Sequence, residues 1–193
     1  SRRKQFAFDP EDFWMHSLGT ARGAQLLAAK YCPAGMKEGA FTAGLLHDIG
    51  KAVLGLVLKE DYKNMVEQAQ QTRRLLREIE FEQLGTTHAR VGRWLGEKWR
   101  FPEYITNTIA NIYRVTTYHE PDKPVVAVVA VADELSRHAR FGFAGDDDCQ
   151  NPTPDLLSCL GMGIEEFENT ATELEKQREE AMSFLRIMQQ KGD

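Results

Sequence analysis

The chain has 193 residues, which is enough for one compact domain with a sizeable core and too few for two comfortable domains. Hydrophobic residues make up 42% and charged residues 27% of it, as in an ordinary soluble globular protein. The formal net charge of -5 argues against a dedicated nucleic-acid binder, which usually carries a basic surface.

The rest of the composition points to the cytoplasm. No apolar run approaches the roughly 20 residues of a membrane span, and no signal peptide is visible. The three cysteines form no CxxC pair and are odd in number, which favours a reducing compartment. Because the chain begins at Ser1 without a methionine, we expect a fragment of a longer protein.

The first predicted helix begins at Asp9-Pro10 and runs to about Tyr31. Asp9 is a good N-cap and Pro10 suits the first helical turn, while Pro33 stops the helix. Five residues share one face at helical spacing: Phe13, His16, Thr20, Gly23 and Leu27. His16 therefore points towards the interior of the fold.

Helical patterns continue along the chain. The second helix starts near Met36 and carries His47 and Asp48. Later helices are predicted at about 59–71, at 73–84, from a cap at 86–87 to about 99, and at 103–115. Residues 124–133 are rich in β-branched side chains, but their apolar pattern continues too far for a strand and no second strand exists to pair with it. We therefore predict a buried helix that ends in Asp133 and a polar tail, within an all-α fold.

Residues 141–155 form the one obvious loop of the chain. Its aspartates at 146–148 lack the central glycine and the terminal glutamate of a calcium-binding loop, so we interpret them as a solvated acidic loop. Two helices, at 154–162 and at 164–190, close the chain. The apolar stripe of the second covers the core or, alternatively, offers a surface to a partner helix.

Residues 44–51, with the sequence GLLHDIGK, place a histidine beside a carboxylate in an apolar run. Burial of both groups is unfavourable unless they are paired, and a divalent metal satisfies both because imidazole and carboxylate are good ligands for it. Gly50 lets the chain bend just after the pair. Lys51 stands one turn after His47 on the same helical face, where a substrate phosphate could reach it.

Partners for this pair occur elsewhere in the chain. His16 lies in the first helix and Asp133 ends the late buried helix, which gives the order H…HD…D. Two imidazoles and two carboxylates leave open positions on an octahedral ion such as Mn²⁺ or Fe²⁺, where water and a phosphate oxygen could bind. Alternatively, the same residues form a hydrogen-bonded polar cluster that fixes the helices without a metal.

Six segments carry a family resemblance: 13–18 (FWMHSL), 40–51 (AFTAGLLHDIGK), 80–92 (EFEQLGTTHARVG), 99–102 (WRFP), 119–121 (HEP) and 131–133 (VAD). Over about residues 8–140, the chain resembles the HD superfamily of metal-dependent phosphohydrolases, and most closely its HDOD (HD-related output domain) signalling branch. The resemblance implies an HD-domain-like helical bundle over residues 1–193, in which the helix at 164–193 packs on the domain or extends from it. Members of the family normally carry several more helices upstream of the first histidine helix, which agrees with the expectation that this chain is a fragment.

The resemblance also assigns site residues. Four of them match the positions that hold a divalent metal (Fe, Mn, Ni, Zn or Mg): His16, His47, Asp48 and Asp133. His88 and His119 match positions that hold a second metal in the related HD-GYP phosphodiesterases. Tyr118 replaces one histidine of the pair found there, and no Gly-Tyr-Pro follows, so hydrolysis of cyclic-di-GMP is not expected.

Two functions remain open. The resemblance implies a bacterial, cytoplasmic output domain, such as that of a two-component response regulator. It would be joined to an upstream receiver or sensory domain and act through protein or small-ligand contacts without catalysis. The alternative is a metal-dependent phosphohydrolase of a nucleotide or other phosphorylated small molecule, in which Asp48 orients the nucleophile and Lys51 or His88 contacts the phosphate. Nucleic-acid binding finds support only in the arginines of residues 73–77, which we interpret as a solvated helix face.

Overall fold

The computed structural model describes residues 9–143, 145 and 152–178. Every regular element in this part of the chain is a helix, which confirms the predicted all-α class. The α-helices are α1 (Pro10–Tyr31), α2 (Lys37–Leu46), α3 (Ile49–Leu58), α4 (Glu60–Thr72), α5 (Leu76–Leu84), α6 (His88–Lys98), α7 (Glu103–Asn111), α8 (Lys123–His138), α9 (Pro154–Ser158) and α10 (Ile164–Lys176). Short 3₁₀ helices occupy Ala34–Met36 and Ile112–Thr117.

The ends of α1 follow from local sequence signals. The Asp9 side chain accepts a hydrogen bond from the backbone N–H of Glu11 at 2.8 Å, and Pro10 occupies the first helical position. The helix ends at Tyr31, after which the chain becomes extended and enters Pro33. The predicted bounds are therefore confirmed.

α8 runs through the centre of the larger hydrophobic core. Eleven of its sixteen residues are buried, as expected for a helix that is apolar on every side. α1 and α2 pack against it. A Cβ atom at Gly19 of α1 would lie 2.5 Å from the Ser136 hydroxyl oxygen, so only a glycine permits this close approach. The approach brings His16, one turn before Gly19, to the C-terminal half of α8.

The predicted second helix is broken in the structure. α2 ends at Leu46 and α3 begins at Ile49, so the chain turns at His47 and Asp48 themselves rather than after them. The expected bend at Gly50 is wrong, because Gly50 lies inside α3. Its lack of a side chain serves helix packing instead: a Cβ atom there would lie 1.9 Å from the carbonyl oxygen of His88.

A second, smaller hydrophobic cluster joins the N-terminal end of α1 to α3, α4 and α5. Its buried members are Phe13, Leu54, Tyr62, Met65, Val66, Ala69, Leu76 and Ile79. α3 also packs closely on α6, where Gly50 meets Gly92. The two residues between α2 and α3 therefore lead from the larger core into this second one.

Two predicted helices are shorter in the structure. The helix expected at 103–115 is α7, which ends at Asn111 and continues as the 3₁₀ helix; Arg114 there departs from helical geometry, with φ of -131°. The helix expected at 154–162 is only the five-residue α9. The 3₁₀ helix carries Tyr113 and leads the chain towards α8.

The described part of the last helix covers the core. Phe167, Ala171 and Leu174 of α10 are buried, in agreement with the first of the two readings of its apolar stripe. The aspartates at 146–148 and the expected continuation of the helix to 190 lie outside the described residues.

One segment, Ala34–Leu58, is long and apolar enough to cross a membrane by length and composition alone, which the sequence prediction overlooked. Core helices meet the same criterion. In the structure the segment is interrupted between α2 and α3, and the two buried ionisable residues at the break contact Asp133 and His88 of other helices. We therefore interpret it as part of the protein core.

Candidate metal centre

Three separate parts of the chain bring four ionisable residues together. His16 comes from the middle of α1, His47 and Asp48 from the junction of α2 and α3, and Asp133 from the second half of α8. All four are buried, with at most 3% of the residue exposed. We call these four residues the His/Asp cluster.

The ligand atoms of the cluster face one another. His16 Nε2 lies 2.9 Å from Asp133 Oδ1 and 3.9 Å from Asp48 Oδ2. His47 Nε2 lies 3.3 Å from Asp48 Oδ2 and 3.5 Å from Asp133 Oδ1. Ligands held about 2.1 Å from one ion are about 3 Å apart when adjacent and about 4.2 Å apart when opposite. The four separations fall in this range.

Three of these facing atoms lack hydrogen bonds. Among the described residues, His16 Nε2, His47 Nε2 and Asp133 Oδ1 are buried without a hydrogen-bond partner. An unsatisfied buried polar atom costs about 1–3 kcal/mol. A cation between the atoms would satisfy all three at once, so the residues present fit a divalent metal.

Neighbouring groups orient both histidines for such a role. His47 Nδ1 lies 2.7 Å from the carbonyl oxygen of Gly44, to which it donates, and this leaves Nε2 as the free ligand atom. The Ser136 hydroxyl donates to the His16 carbonyl at 3.1 Å and lies 3.3 Å from His16 Nδ1. Because the hydroxyl hydrogen points to that carbonyl, the hydroxyl oxygen accepts a hydrogen bond from His16 Nδ1–H, which leaves His16 Nε2 free as well.

The charges within the cluster are strongly coupled. Burial alone would raise the pKa of Asp48, but His47 and Lys51 hold that pKa well below its usual range. Burial likewise opposes ionisation of Asp133, yet Arg137, whose Nε lies 3.4 Å from Asp133 Oδ2, helps to hold its pKa well below the usual range. The carboxylates in turn overcome burial and raise the pKa of His47 to about 10. Without a metal, the cluster thus holds positive charge in the core as a proton on His47, which a bound cation would displace.

Lys51 supplies part of this positive charge. Its ammonium nitrogen lies 2.6 Å from Asp48 Oδ2, and the residue is completely buried. The sequence expectation placed Lys51 where a substrate phosphate could reach it. The structure places it behind Asp48 as the partner of that carboxylate.

His88 belongs to an adjoining hydrogen-bonded network. Its Nδ1 lies 2.7 Å from Glu80 Oε2, which also accepts the His88 backbone N–H at 2.8 Å. Tyr62 donates to Glu80 Oε1, and the Tyr113 hydroxyl lies 3.0 Å from His88 Nε2. We call Tyr62, Glu80, His88 and Tyr113 the Glu80 network. It touches the His/Asp cluster through His88 Nε2, which lies 3.6 Å from Asp48 Oδ1.

Sequence reasoning missed Glu80 and Tyr113. Glu80 shares the buried face of α5 with Leu76 and Ile79, so an acidic residue at an apolar helical position was the available signal. Tyr113 gave no such signal. Its position depends on the 3₁₀ helix that replaces the end of the predicted helix.

The structure does not bring His119 to the site. It is exposed in the turn before α8, and no contact with the cluster is found among the described residues. The neighbouring Tyr118 donates its hydroxyl hydrogen to Asp122 Oδ1 at 2.7 Å. Of the two positions proposed for a second metal, only His88 lies beside Asp48.

A cavity of ≈ 400 Å³ reaches the cluster at Asp133. Arg77, Tyr113 and Arg137 also line it, together with the carboxylates of Glu134 and Asp155, so its wall carries charges of both signs. Cavities of about 300–1,000 Å³ are typical of small-molecule sites. None of the other three cluster residues lines this cavity.

Comparison with known proteins agrees with the fold. The HDOD domain model matches residues 1–115, a range that contains His16, His47, Asp48 and His88. No curated protein matches the chain.

Solved structures share the fold at low sequence identity. An HDOD domain protein of unknown function from Geobacter sulfurreducens has a TM-score of 0.74 and 25% identity, covering 91% of this chain and 61% of its own. A Shewanella amazonensis SB2B protein proposed to be a phosphohydrolase has a TM-score of 0.68 and 22% identity, covering 91% and 62%. The MmoQ response regulator of Methylococcus capsulatus has a TM-score of 0.62 and 22% identity, covering 88% and 64%. The chain thus spans about three fifths of the length of these structures.

Proposed function

Because the chain belongs to the HDOD family, we propose that it is a signalling output domain built around an HD-type divalent-metal site. It acts through contacts with proteins or a small ligand rather than by hydrolysis. The metal is held by the His/Asp cluster and stabilises the junction of α1, α2, α3 and α8.

The metal part of this proposal rests on one observation. Three buried atoms, His16 Nε2, His47 Nε2 and Asp133 Oδ1, face one another without hydrogen bonds. A purely hydrogen-bonded polar cluster would satisfy such atoms by donors and acceptors in alignment. Their convergence supports the metal over the metal-free alternative.

The non-catalytic part is supported by the closure of the site. Hydrolysis requires a substrate phosphate and a water molecule to reach the metal together. His16, His47 and Asp48 are at most 1% exposed, and Lys51 fills the space beside Asp48. Of the four cluster residues, Asp133 alone lines the cavity of ≈ 400 Å³.

The signalling part is supported by the neighbours. One of them is a response regulator, and the solved structures extend well beyond the length that this chain covers. We therefore propose that the full protein is bacterial and cytoplasmic and joins this domain to a receiver or sensory domain. Its partners would be proteins of the same signalling pathway.

The second candidate function is a metal-dependent phosphohydrolase. The cavity beside Asp133 favours it, because Arg77 on the cavity wall forms no ion pair among the described residues and could bind a substrate phosphate. A bound divalent metal would supply an activated water and polarise the phosphoryl group. Asp48 would then orient the nucleophile.

Metal content and unfolding test the metal site. We expect the purified protein to contain a divalent metal by elemental analysis, and Mn²⁺ to raise the melting temperature of protein stripped with EDTA. Saturation at a hundred times the dissociation constant stabilises by about 2.7 kcal/mol. The His47→Gln variant should lose this response, whereas the control His119→Gln should keep it. A metal-free protein that does not respond to Mn²⁺ would contradict the metal site.

A phosphatase assay with added Mn²⁺ separates the two functions. We expect no turnover of nucleoside mono-, di- or triphosphates by the metal-loaded protein. Metal-dependent turnover that disappears in Asp48→Asn would instead establish the phosphohydrolase. Stabilisation by Mn²⁺ without turnover supports the output domain.

A further inference from the structure

A second cavity lies between α5, α6 and the residues around the end of α7. Its volume of ≈ 690 Å³ is suited to a small molecule. Six of its lining residues carry the argument: Arg77, Arg90, Arg93, Trp94, Tyr113 and Arg114. We call it the arginine cavity. None of the four residues of the His/Asp cluster lines it.

The arginine cavity concentrates unpaired positive charge. Among the described residues that line it, Glu97 alone is acidic, and it pairs with Arg93 at 2.8 Å. In the part of the chain that the structure describes, no carboxylate lies within ion-pair distance of the other three arginines, at positions 77, 90 and 114. Because the chain as a whole carries a net charge of -5, this local excess is a specific feature that favours an anion.

The arginines approach the cavity from different elements. Arg90 and Arg93 lie one turn apart on α6, Arg114 lies on the 3₁₀ helix, and the guanidinium of Arg77 lies 4.6 Å from the centre of the Tyr113 ring. The contact with Tyr113 holds Arg77 at the cavity wall, which corrects its earlier interpretation as part of a solvated face. Guanidinium groups bind phosphate oxygens through paired N–H donors, so several arginines around one cavity suit several phosphates.

Two aromatic residues line the arginine cavity beside the arginines. Trp94 is 55% exposed although its indole is a large apolar group, and it lines the cavity. Tyr113 lines it as well, and its hydroxyl donates towards Asp48 Oδ1 at 3.4 Å. The cavity thus offers a flat ring for stacking and shares one residue with the buried polar site.

We propose that the arginine cavity binds a nucleoside polyphosphate, with the arginines on the phosphates and Trp94 stacked on the base. A small ligand is favoured over single-stranded nucleic acid by the limited volume and by the negative charge of the chain. The proposal rests on the proposed signalling role in one respect: the bound nucleotide would be the signal to which the output domain responds. Binding itself requires none of the cluster residues.

Isothermal titration calorimetry tests the proposal with two probes, ADP and inorganic pyrophosphate, in low-salt buffer without divalent cations. We expect both to bind, ADP more tightly. Arg90→Gln and Arg114→Gln change exposed residues and should each weaken binding about tenfold, the effect of losing one charge-assisted contact. Arg22→Gln removes an exposed arginine from α1 and should leave affinity unchanged. Trp94→Ala should weaken ADP binding and leave pyrophosphate binding unchanged.

Four outcomes would overturn the proposal. Binding of neither probe excludes the site, and affinities unchanged in both arginine variants place any binding elsewhere. A single-stranded oligonucleotide is titrated in the same buffer, and its binding in the absence of binding by either probe would assign the surface to nucleic acid. Equal affinity for both probes, unaffected by Trp94→Ala, excludes the nucleotide. The Mn²⁺ response of unfolding, measured on the same preparations, reports separately on the metal site.

Discussion

Two buried polar networks meet at Asp48, and they are satisfied in different ways. In the His/Asp cluster, three ligand atoms face one another without hydrogen bonds. In the Glu80 network, both oxygens of Glu80 accept hydrogen bonds, one from Tyr62 and one from the backbone of His88. The carboxylate of Asp48 serves both: Oδ2 faces His47 and Lys51, whereas Oδ1 faces His88 and Tyr113.

The difference shows what identifies a metal site in a buried polar region. Both networks contain histidine and carboxylate, so residue type does not separate them. A cation would satisfy the unpaired ligand atoms of the His/Asp cluster, whereas the hydrogen bonds of the Glu80 network are already made. His88 uses Nδ1 towards Glu80 and Nε2 towards Tyr113, and we therefore favour a structural role for it over that of a second metal ligand.

The largest expected effect comes from the close packing of α3 on α6 at Gly50, which places His88 beside Asp48. In Gly50→Ala, the new Cβ would lie 1.9 Å from the His88 carbonyl oxygen and 2.8 Å from the Gly92 nitrogen. Both are backbone atoms and cannot rotate away. We therefore expect the free energy of unfolding to fall by about 3 kcal/mol or more, at or beyond the usual range for overpacking. The midpoint of urea unfolding measures it. Gly35→Ala, where a Cβ meets nothing within 4 Å, is the control, and equal midpoints for the two variants would refute this contact.

Removal of the Glu80 charge from the Glu80 network should have the next largest effect. Glu80→Gln leaves the His88 imidazole in a buried site without its carboxylate partner. We expect the free energy of unfolding to fall by about 3 kcal/mol at pH 7. The exposed Glu82→Gln serves as control and should change the urea midpoint little. No difference between the two variants would mean that Glu80 does not anchor α6.

The same substitution should alter the response to acid. Burial raises the pKa of Glu80, but His88 and Tyr62 lower it more, so its folded pKa lies below the ordinary value of 4.5. Its contribution to stability is therefore fully present above about pH 4.5 and is lost as the pH falls through the folded pKa. The wild type should lose stability more steeply than Glu80→Gln below pH 4.5. Parallel acid profiles of the urea midpoint would contradict this assignment.

Local signals explain how much of the fold could be predicted from the sequence. The ends of α1 follow from Asp9, Pro10 and Pro33, which act on their own backbone, and the buried character of α8 follows from an apolar run too long for a strand. The bend between α2 and α3 was predicted slightly too late, just after the pair at Gly50, because neither residue of the pair is a glycine or a proline. Tertiary contacts impose that break.

The candidate site could likewise be predicted from the sequence only in part. The order of His16, His47, Asp48 and Asp133 along the chain was sufficient to predict that they meet, since each lies at an inward helical position or in a family motif. The partner of Lys51 and the exposure of His119 depend on how helices turn relative to one another, which residue spacing does not encode.

The smallest expected effect comes from a hydroxyl that supports the cluster without belonging to it. Ser136→Ala removes the acceptor for His16 Nδ1 and the donor to the His16 carbonyl. Metal-free protein should lose about 1 kcal/mol of stability. Because such supporting groups fix the ligand imidazole, Mn²⁺ affinity should fall about tenfold or more. Competition with a fluorescent chelator measures the affinity.

Ser17→Ala is the matched control, because it removes a buried serine hydroxyl one residue from His16. Ser17 Oγ has no hydrogen-bond partner in the structure, so its loss removes an unsatisfied polar atom and should leave stability unchanged or slightly raised. Its Mn²⁺ affinity should equal that of the wild type. If Ser17→Ala and Ser136→Ala weaken Mn²⁺ binding equally, packing around α1 rather than the orientation of His16 governs the metal site.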